Sequence, residues 1–199
     1  MLKLSFVVAL ALLVAGGAHA ERADRQQPMV VESDGKQAAS VDLSRKVTLI
    51  SGNVVIVQGT LLIKGDQVEV HEESPGRYVL QARALPNQQV YFKQKRDRPD
   101  EWIEAHADRV NYDGGTETVR FTGNAHLRAL RAGVMTDEGH AGIITYDQKI
   151  DTLVFEGGTG PAPTTTAPNG GRARLVFVPR AASAAEPARP ANAATGGTK

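Results

Sequence analysis

The residues of this chain able to do chemistry are few, and their spacing assigns them no reaction. His71, His106, His126 and His140 are the histidines beyond residue 20, and none stands in the His-x-His or His-x-x-x-His spacing that puts two ring nitrogens on one face. Glu72-Glu73, Asp100-Glu101 and Asp137-Glu138 are adjacent carboxylates. Neighbours on a strand point to opposite faces, which makes poor acid–base pairs, and in charged turns such residues read as solubilising. No serine occupies a Gly-x-Ser-x-Gly elbow, and no Gly-x-x-x-x-Gly-Lys-Ser/Thr loop is present to cradle a phosphate. Cysteine is absent, which removes thiol nucleophiles, thiolate metal sites and disulfides together. The reading at this level is a protein that is not an enzyme, with no cofactor and no metal.

What the chain does offer is elements. Thr48-Leu49-Ile50-Ser51-Gly52-Asn53-Val54-Val55-Ile56 and Val119-Arg120-Phe121-Thr122-Gly123-Asn124-Ala125-His126-Leu127 are versions of one another, an apolar pair on either side of Gly-Asn. A looser pattern recurs in Gly65-Asp66-Gln67-Val68-Glu69-Val70, Ala107-Asp108-Arg109-Val110-Asn111-Tyr112 and Ala141-Gly142-Ile143-Ile144-Thr145-Tyr146. Recurring short strands with recurring Gly-Asn kinks indicate stacked β rungs.

Residues 1 to 20 read as a secretory signal: Lys3 at the charged start, Leu4 to Val14 as the apolar run, and Ala18-His19-Ala20 as the small-x-small site, with cleavage between Ala20 and Glu21. A run of about 11 residues is too short for a spanning helix, which needs about 20. Removing Lys3 from a chain of formal charge +1 leaves 22 basic and 22 acidic residues, so the mature protein is neutral overall. A body without a basic face has no means of binding nucleic acid by phosphate neutralisation. Beyond Pro179 the chain is mainly Ala, Pro, Gly, Arg and Thr, and such a segment cannot bury enough surface to offset its ordering entropy. The expected organisation is a signal peptide over 1–20, one β domain over 21–179 and a disordered tail over 180–199.

From Pro28 to Pro179 the pattern is period two, in strands expected to be five to eight residues long, with no helix. The clearest is Glu117 to Thr122, where Val119 and Phe121 alternate with Thr118, Arg120 and Thr122, so that Val119 and Phe121 face an interior. Carried across the repeat, that register puts Ile50, Val54, Ile56 and Leu127 inside, with Gly52 and Gly123 at bends where a missing side chain lets the backbone turn. Further inward candidates are Leu61, Ile63, Val68, Val70, Val90, Phe92, Val110, Tyr112, Ile144, Tyr146, Leu153 and Phe155. Val54-Val55-Ile56-Val57 and Leu61-Leu62-Ile63 do not alternate, which reads as strands covered on both sides by their own fold. Longer loops are expected at 71–76, 95–100 and 156–171. Aromatics are only 5% of the residues, so the interior is branched aliphatic, a lining that packs on itself and equally on flexible alkyl chains. A rolled sheet of bent rungs need not close, and an open seam would expose that lining to a ligand. The alternatives are a dry, closed β-solenoid scaffold, or a polysaccharide-binding envelope protein, for which Trp102 is the only tryptophan platform.

An ordered set of motifs resembles the OstA-like family of periplasmic lipopolysaccharide-transport bridge components. Pro28-Met29-Val30-Val31-Glu32-Ser33-Asp34 resembles its opening strand, Ser51-Gly52-Asn53-Val54 and Thr122-Gly123-Asn124-Ala125 its two Thr-Gly-Asn corners, and Lys64-Gly65-Asp66-Gln67-Val68 its Ala-Asp-x-Val rung. Val90-Tyr91-Phe92-Lys93-Gln94, Ala105-His106-Ala107-Asp108 and Val176-Phe177-Val178-Pro179 complete the order. Ser51 stands where threonine is usual, Ala141-Gly142 where Gly-Asp is frequent, and the 157–171 stretch is long. The resemblance implies an all-β jellyroll, an open V-shaped roll of about sixteen antiparallel strands that holds lipid A acyl chains of lipopolysaccharide in its apolar interior and passes the lipid toward the outer membrane. It also implies a periplasmic location, end-to-end self-association, an LptC-like inner-membrane partner and the N-terminal domain of an LptD-like outer-membrane partner. The sheet edges expected to meet them are Met29, Val30, Val31 and Glu32 at one end and Arg174, Leu175, Val176, Phe177 and Val178 at the other.

Overall fold

In a computed structural model, residues 23–157 and 173–178 are described. The signal peptide with its Ala20/Glu21 cleavage site, most of the 157–171 stretch and the 180–199 tail lie outside them. Among the described residues twelve strands form one antiparallel sheet: β1 (Val30–Glu32), β2 (Ser40–Asp42), β3 (Val47–Gln58), β4 (Leu61–Ser74), β5 (Arg77–Arg83), β6 (Val90–Lys95), β7 (Glu101–Ala107), β8 (Arg109–Asp113), β9 (Thr118–Arg131), β10 (Val134–Asp147), β11 (Thr152–Glu156) and β12 (Arg174–Phe177).

The four long strands are longer than the period-two pattern suggested, at 12 to 14 residues. The Gly-Asn steps do not end them. Between Ser51 and Val54 the β3–β4 register slips by one residue, and between Thr122 and Ala125 the β9–β10 register does the same. One extra residue on one strand is a β-bulge: the ladder resumes on the far side while the strand changes direction. Each long strand therefore serves two layers. Layer A runs β2-β3-β4-β5-β8-β9-β10-β11 through the first halves of β3 and β9, and layer B runs β1-β3-β4-β6-β7-β9-β10-β12 through the second halves. Counted by layer, the twelve strands give the sixteen segments of a jellyroll-like roll.

The two bulges are built alike. Gly52 and Asn53 have φ of 91° and 45°, Gly123 and Asn124 of 81° and 44°, values in the left-handed region that glycine and asparagine tolerate best. An aspartate clamps each. Asp34 donates its N–H to the Gly52 carbonyl at 2.9 Å and accepts from Asn53 Nδ2 at 2.8 Å; Asp108 does the same with Gly123 at 2.9 Å and Asn124 at 3.0 Å. The backbone N–H of Lys36, then Asn53, holds the Asp34 carboxyl below the usual carboxylate range. A Cβ on Gly52 would lie 2.5 Å from Asp34 Oδ1, and one on Gly123 would collide with Asp108 Oδ2 at closer range still. The second sequence pattern falls on the same line: Asp66 and Gly142 oppose the two bulges, and Asp108 stands in the break between β7 and β8.

Three expectations are corrected. The charged stretch 71–76 is not a loop: His71 and Glu72 pair with Val79 and Tyr78, leaving Pro75-Gly76 as the turn, because a tight hairpin recruits the polar residues of both arms. The strand expected to open at Glu117 opens at Thr118, since Glu117 sits at φ 61° in the preceding turn. Val54 to Val57 are not covered on both sides: Val54 and Ile56 are fully buried, whereas Val57 is 40% exposed on the outer face of layer B.

Gly123→Ala and Gly76→Ala both place alanine at a similar positive φ, +81° and +76°, and only the former meets a clamp. Each should cost about 1–2 kcal/mol for the left-handed backbone, with about 1–2 kcal/mol more at Gly123 for the displaced Asp108 hydrogen bonds. Urea unfolding at constant slope measures this; equal costs for the two alanines would remove the clamp from the account of the corner.

Candidate functional site

Register converts the inward residues into continuous rows. In layer A, Ile50, Val68, Ala82, Val110, Phe121, Ile144 and Phe155 stand opposite one another through successive strand pairs, and Val41, Thr48, Val70, Leu80, Tyr112, Val119, Tyr146 and Leu153 form the next row. In layer B the matching row is Val31, Ile56, Ile63, Phe92, Ala105, Leu127, Gly139 and Leu175. The layers meet where the Phe92 and Phe121 rings pack edge to face, 5.1 Å between centroids, a geometry worth about 0.5–1.5 kcal/mol beyond the area buried. The rows run along the stacking direction of the strands, from the β1/β2 end to the β11/β12 end.

Every residue expected in the interior points there. Most are buried outright, while Ile50, Leu153 and Phe155 are partly buried against the same cluster. Leu80, Ala82, Ile103, Ala105, Ala107 and Ala125 belong to it as well. The alternation Ile103-Glu104-Ala105-His106-Ala107 carried that signal, but alanine is too small to mark an apolar face by itself.

One layer A row finishes on exposed Val41, at 60%, and the layer B row finishes at the other end of the roll on exposed Leu175, at 45%, with Phe177 two residues on at 72%. The remaining row ends, Val31, Ile50, Leu153 and Phe155, are partly buried. The terminal strands are hydrogen-bonded on one side: β1 to β3, β12 to β10, with Val178 N–H donating to the Thr136 carbonyl at 3.0 Å. Met29 packs against the core just ahead of β1. Their outer backbone groups face away from the sheet, among the described residues.

The corners join the layers along one side; along the other, the hairpin turns of layer A face those of layer B, and polar groups close the seam. Gln94 of layer B accepts a hydrogen bond from Gln148 Nε2 at the tip of layer A. Arg96, in the β6–β7 turn, pairs with Asp151, in the β10–β11 turn, and with Glu101 at 2.7 Å; Glu101 also takes Arg131, and Tyr146 donates to Asp151 at 3.1 Å. Burial works against the Arg96 charge, but the Asp151 carboxylate more than offsets it and the guanidinium stays protonated. Glu101, expected to be a solvated turn residue, is 5% exposed between two arginines, because the turn folds back over the end of β9.

A second clasp comes from residues that no pattern in the sequence singles out. Ala23 to Gln27 make a turn closed by Gln26 N–H to the Ala23 carbonyl at 3.1 Å. Asp24, 3% exposed, accepts from Thr60 N–H and Oγ1, both at 2.6 Å, and from Gln94 Nε2 at 3.0 Å, while Arg25 pairs with Glu117 of layer A at 3.1 Å. Gly59 makes the docking possible: at φ 60° it carries no side chain where a Cβ would stand 2.8 Å from the Asp24 backbone. Burial in this corner pushes the Tyr112 hydroxyl up to about 12.

The outer face of layer B is polar and paired. Lys93 Nζ lies 2.9 Å from Glu104, which raises the lysine, and 5.0 Å above the Trp102 ring. Burial opposes ionisation of Glu104, but the Lys93 contact outweighs it and the carboxyl falls below its ordinary range. Tyr91, His106, His126 and His140, remote in sequence, stand side by side in register across β6, β7, β9 and β10. Partial burial lowers both His106 and His126, the latter against the raising effect of its 2.6 Å contact with Glu138.

The family described as LptA/(LptD N-terminal domain) LPS transport protein matches residues 31–152, the span that holds both clamped corners and most of both layers. Lipopolysaccharide export system protein LptA of Haemophilus influenzae is 31% identical over 162 residues, covering 80% of this chain and 87% of that protein. The protein of the same name from Escherichia coli K12 is 32% identical over 162 residues, covering 78% and 81%. The crystal structure of LptH, the LptA homologous periplasmic component of the lipopolysaccharide transport device of Pseudomonas aeruginosa, shares the fold at a TM-score of 0.63 and 22% identity, over 79% of this chain and 99% of that one. The chain belongs to the LptA/LptD N-terminal domain family of LPS transport proteins.

Proposed function

We propose that the chain is a non-enzymatic periplasmic carrier and bridge that holds the acyl chains of lipopolysaccharide between its two layers on their way to the outer membrane. The observation that carries this reading is that inward rows, apolar but for Thr48 and Gly139, run through the roll and reach an exposed apolar residue toward each end, Val41 on β2 and Leu175 on β12. The family and the names of its relatives support it, as does the periplasmic description of LptH. Each acyl methylene kept from water is worth about 0.8 kcal/mol, so a multi-acyl lipid needs a continuous apolar path rather than free diffusion. Residues such as Ile56, Ile63, Val90, Phe92, Val110, Phe121 and Ile144 are the lining on this reading.

The edges carry the second half of the function. An unpaired strand next to an open apolar row accepts a further strand and extends the row at the same time. Met29 to Glu32 and Arg174 to Val178 are therefore the surfaces for end-to-end copies of this chain, for an LptC-like inner-membrane protein and for the N-terminal domain of an LptD-like outer-membrane protein.

The layers are packed at Phe92 and Phe121, both 0% exposed, so loading requires them to part. The seam is the place for that, because its contacts are polar while the corner is a continuous backbone.

A photo-crosslinking residue at Phe92 or Phe121 is expected to capture lipopolysaccharide in cells, and one at Val30 or Leu175 to capture protein. Capture of lipid only from outward positions such as Arg120 would overturn the interior path and favour a dry scaffold.

The chain has no cysteine, so Gln94→Cys with Gln148→Cys gives a single pair across the seam. Joined by a short bifunctional thiol reagent, the protein should lose lipopolysaccharide loading while either single variant retains it. Undiminished loading of the joined protein would exclude the seam as the entrance.

A further inference from the structure

The outer face of layer B carries a group of side chains that the lipid path does not use. His126 on β9 and His140 on β10 are direct register partners, and their rings are parallel within 5° at 4.1 Å between centroids. Glu138 stands two residues before His140, hence on the same face of β10, with Oε1 at 2.6 Å from His126 Nε2 and 3.7 Å from His140 Nε2. One ligand atom from each residue lies within 4.8 Å of the others. All three are half-buried.

We propose that His126, Glu138 and His140 form a binding site for a divalent transition-metal ion of the zinc type. Two imidazoles and one carboxylate are a donor set that suits zinc, nickel or copper and suits magnesium or calcium poorly, since those ions prefer all-oxygen shells. Bond lengths of roughly 2.0–2.1 Å to each donor require the stacked imidazoles to swing out of parallel so that their Nε2 lone pairs converge beside the Glu138 carboxylate. The hairpin places the site between two irregularities: β9 and β10 are joined by the two-residue turn Ala132-Gly133, the register shifts between Met135 and Asp137, and it then holds from the Ala129–Asp137 pair to the Ala125–Ala141 pair, with all three residues inside that stretch. Two cations stand opposite the proposed ligands in register: Arg174 opposite His140, and Arg128 opposite Glu138, the latter drawn toward Glu104, whose carboxylate is 3.9 Å from its Nη2. His106 lies one strand further, 6.4 Å from His126 between ring centroids, within range to replace a ligand or to hold a bound water. Metal occupancy would tie β9 to β10 beneath the C-terminal edge strand, where Arg174 of β12 is the register partner of His140.

Untagged mature protein titrated calorimetrically with zinc sulfate, with magnesium as the comparison, tests the site. One zinc ion per chain is expected, with no heat from magnesium, and His126→Gln or His140→Gln should weaken zinc affinity by about 10-fold or more. His71→Gln, an exposed histidine on β4, should leave it unchanged. Cobalt(II) substituted for zinc should give the absorption bands of a low-coordinate N/O site in the wild type and lose them in both variants, whatever the variants do to stability. Absence of zinc uptake, or equal uptake by wild type and the double His126→Gln/His140→Gln protein, would overturn the proposal.

Discussion

The roll depends on one constraint, the clamped bulge at Gly52-Asn53 and its copy at Gly123-Asn124. A flat sheet of this composition would have one apolar face and no means of covering it. Inserting one residue at positive φ into β3 and β9, and binding the asparagine to an aspartate from a neighbouring element, folds the sheet along a line and turns the face upon itself. The clamps belong to different elements, Asp34 between β1 and β2 and Asp108 between β7 and β8. Bending each long strand is thus coupled to placing its neighbour, so the corner forms as a line rather than at isolated points.

That coupling explains what was legible in the sequence. Alternation is local, and a one-residue slip would turn Val119 and Phe121 outward, so the register read from a single strand extends to Ile50, Val54, Ile56 and the remaining interior positions. The Gly-Asn repeat marked the corner because the backbone there demands those residue types. Contacts that depend on which strand lies beside which were not legible. Nothing in the spacing of His106, His126 and His140 announces that they share a row, since their alignment comes from the lengths of β7, β9 and β10 and the bulge between them. Asp24 was silent for the same reason: its partners Thr60 and Gln94 are 36 and 70 residues away. Glu101 looked like one half of a solvated pair because one of its arginines, Arg96, meets it only when the β6–β7 turn closes and the other, Arg131, arrives from the end of β9, 30 residues away.

The packed interior and the proposed cargo are compatible once the apolar and polar interactions between the layers are separated. Sliding acyl chains between the layers exchanges one aliphatic surface for another, so for the protein the apolar part is close to balanced, while the lipid gains about 0.8 kcal/mol for each methylene leaving water. The polar clasps are different. Gln94–Gln148, Arg96–Asp151 and the Asp24 cluster have no counterpart in an acyl chain, and breaking each hydrogen bond forfeits about 0.5–1.5 kcal/mol if neutral and about 1.5–3 kcal/mol if charged. On the proposed reading, then, the interior sets affinity and the seam sets the barrier.

From this division it follows that the two sides of the roll should tolerate change in opposite ways. Altering aliphatic size inside changes packing and lipid affinity together, since the same surface serves both. Altering a clasp such as Asp24 or Arg96 leaves the lining intact and changes the cost of parting the layers. The N-terminal clasp is the more selective lever, because Asp24 and Arg25 reach it from a short turn outside the sheet and bind layer B through Thr60 and Gln94 but layer A through Glu117. Releasing that turn would remove the bridge between Thr60 and Gln94 of layer B and Glu117 of layer A without disturbing a single strand pair, and would leave Gln94–Gln148 and Arg96–Asp151 as the contacts still holding the seam.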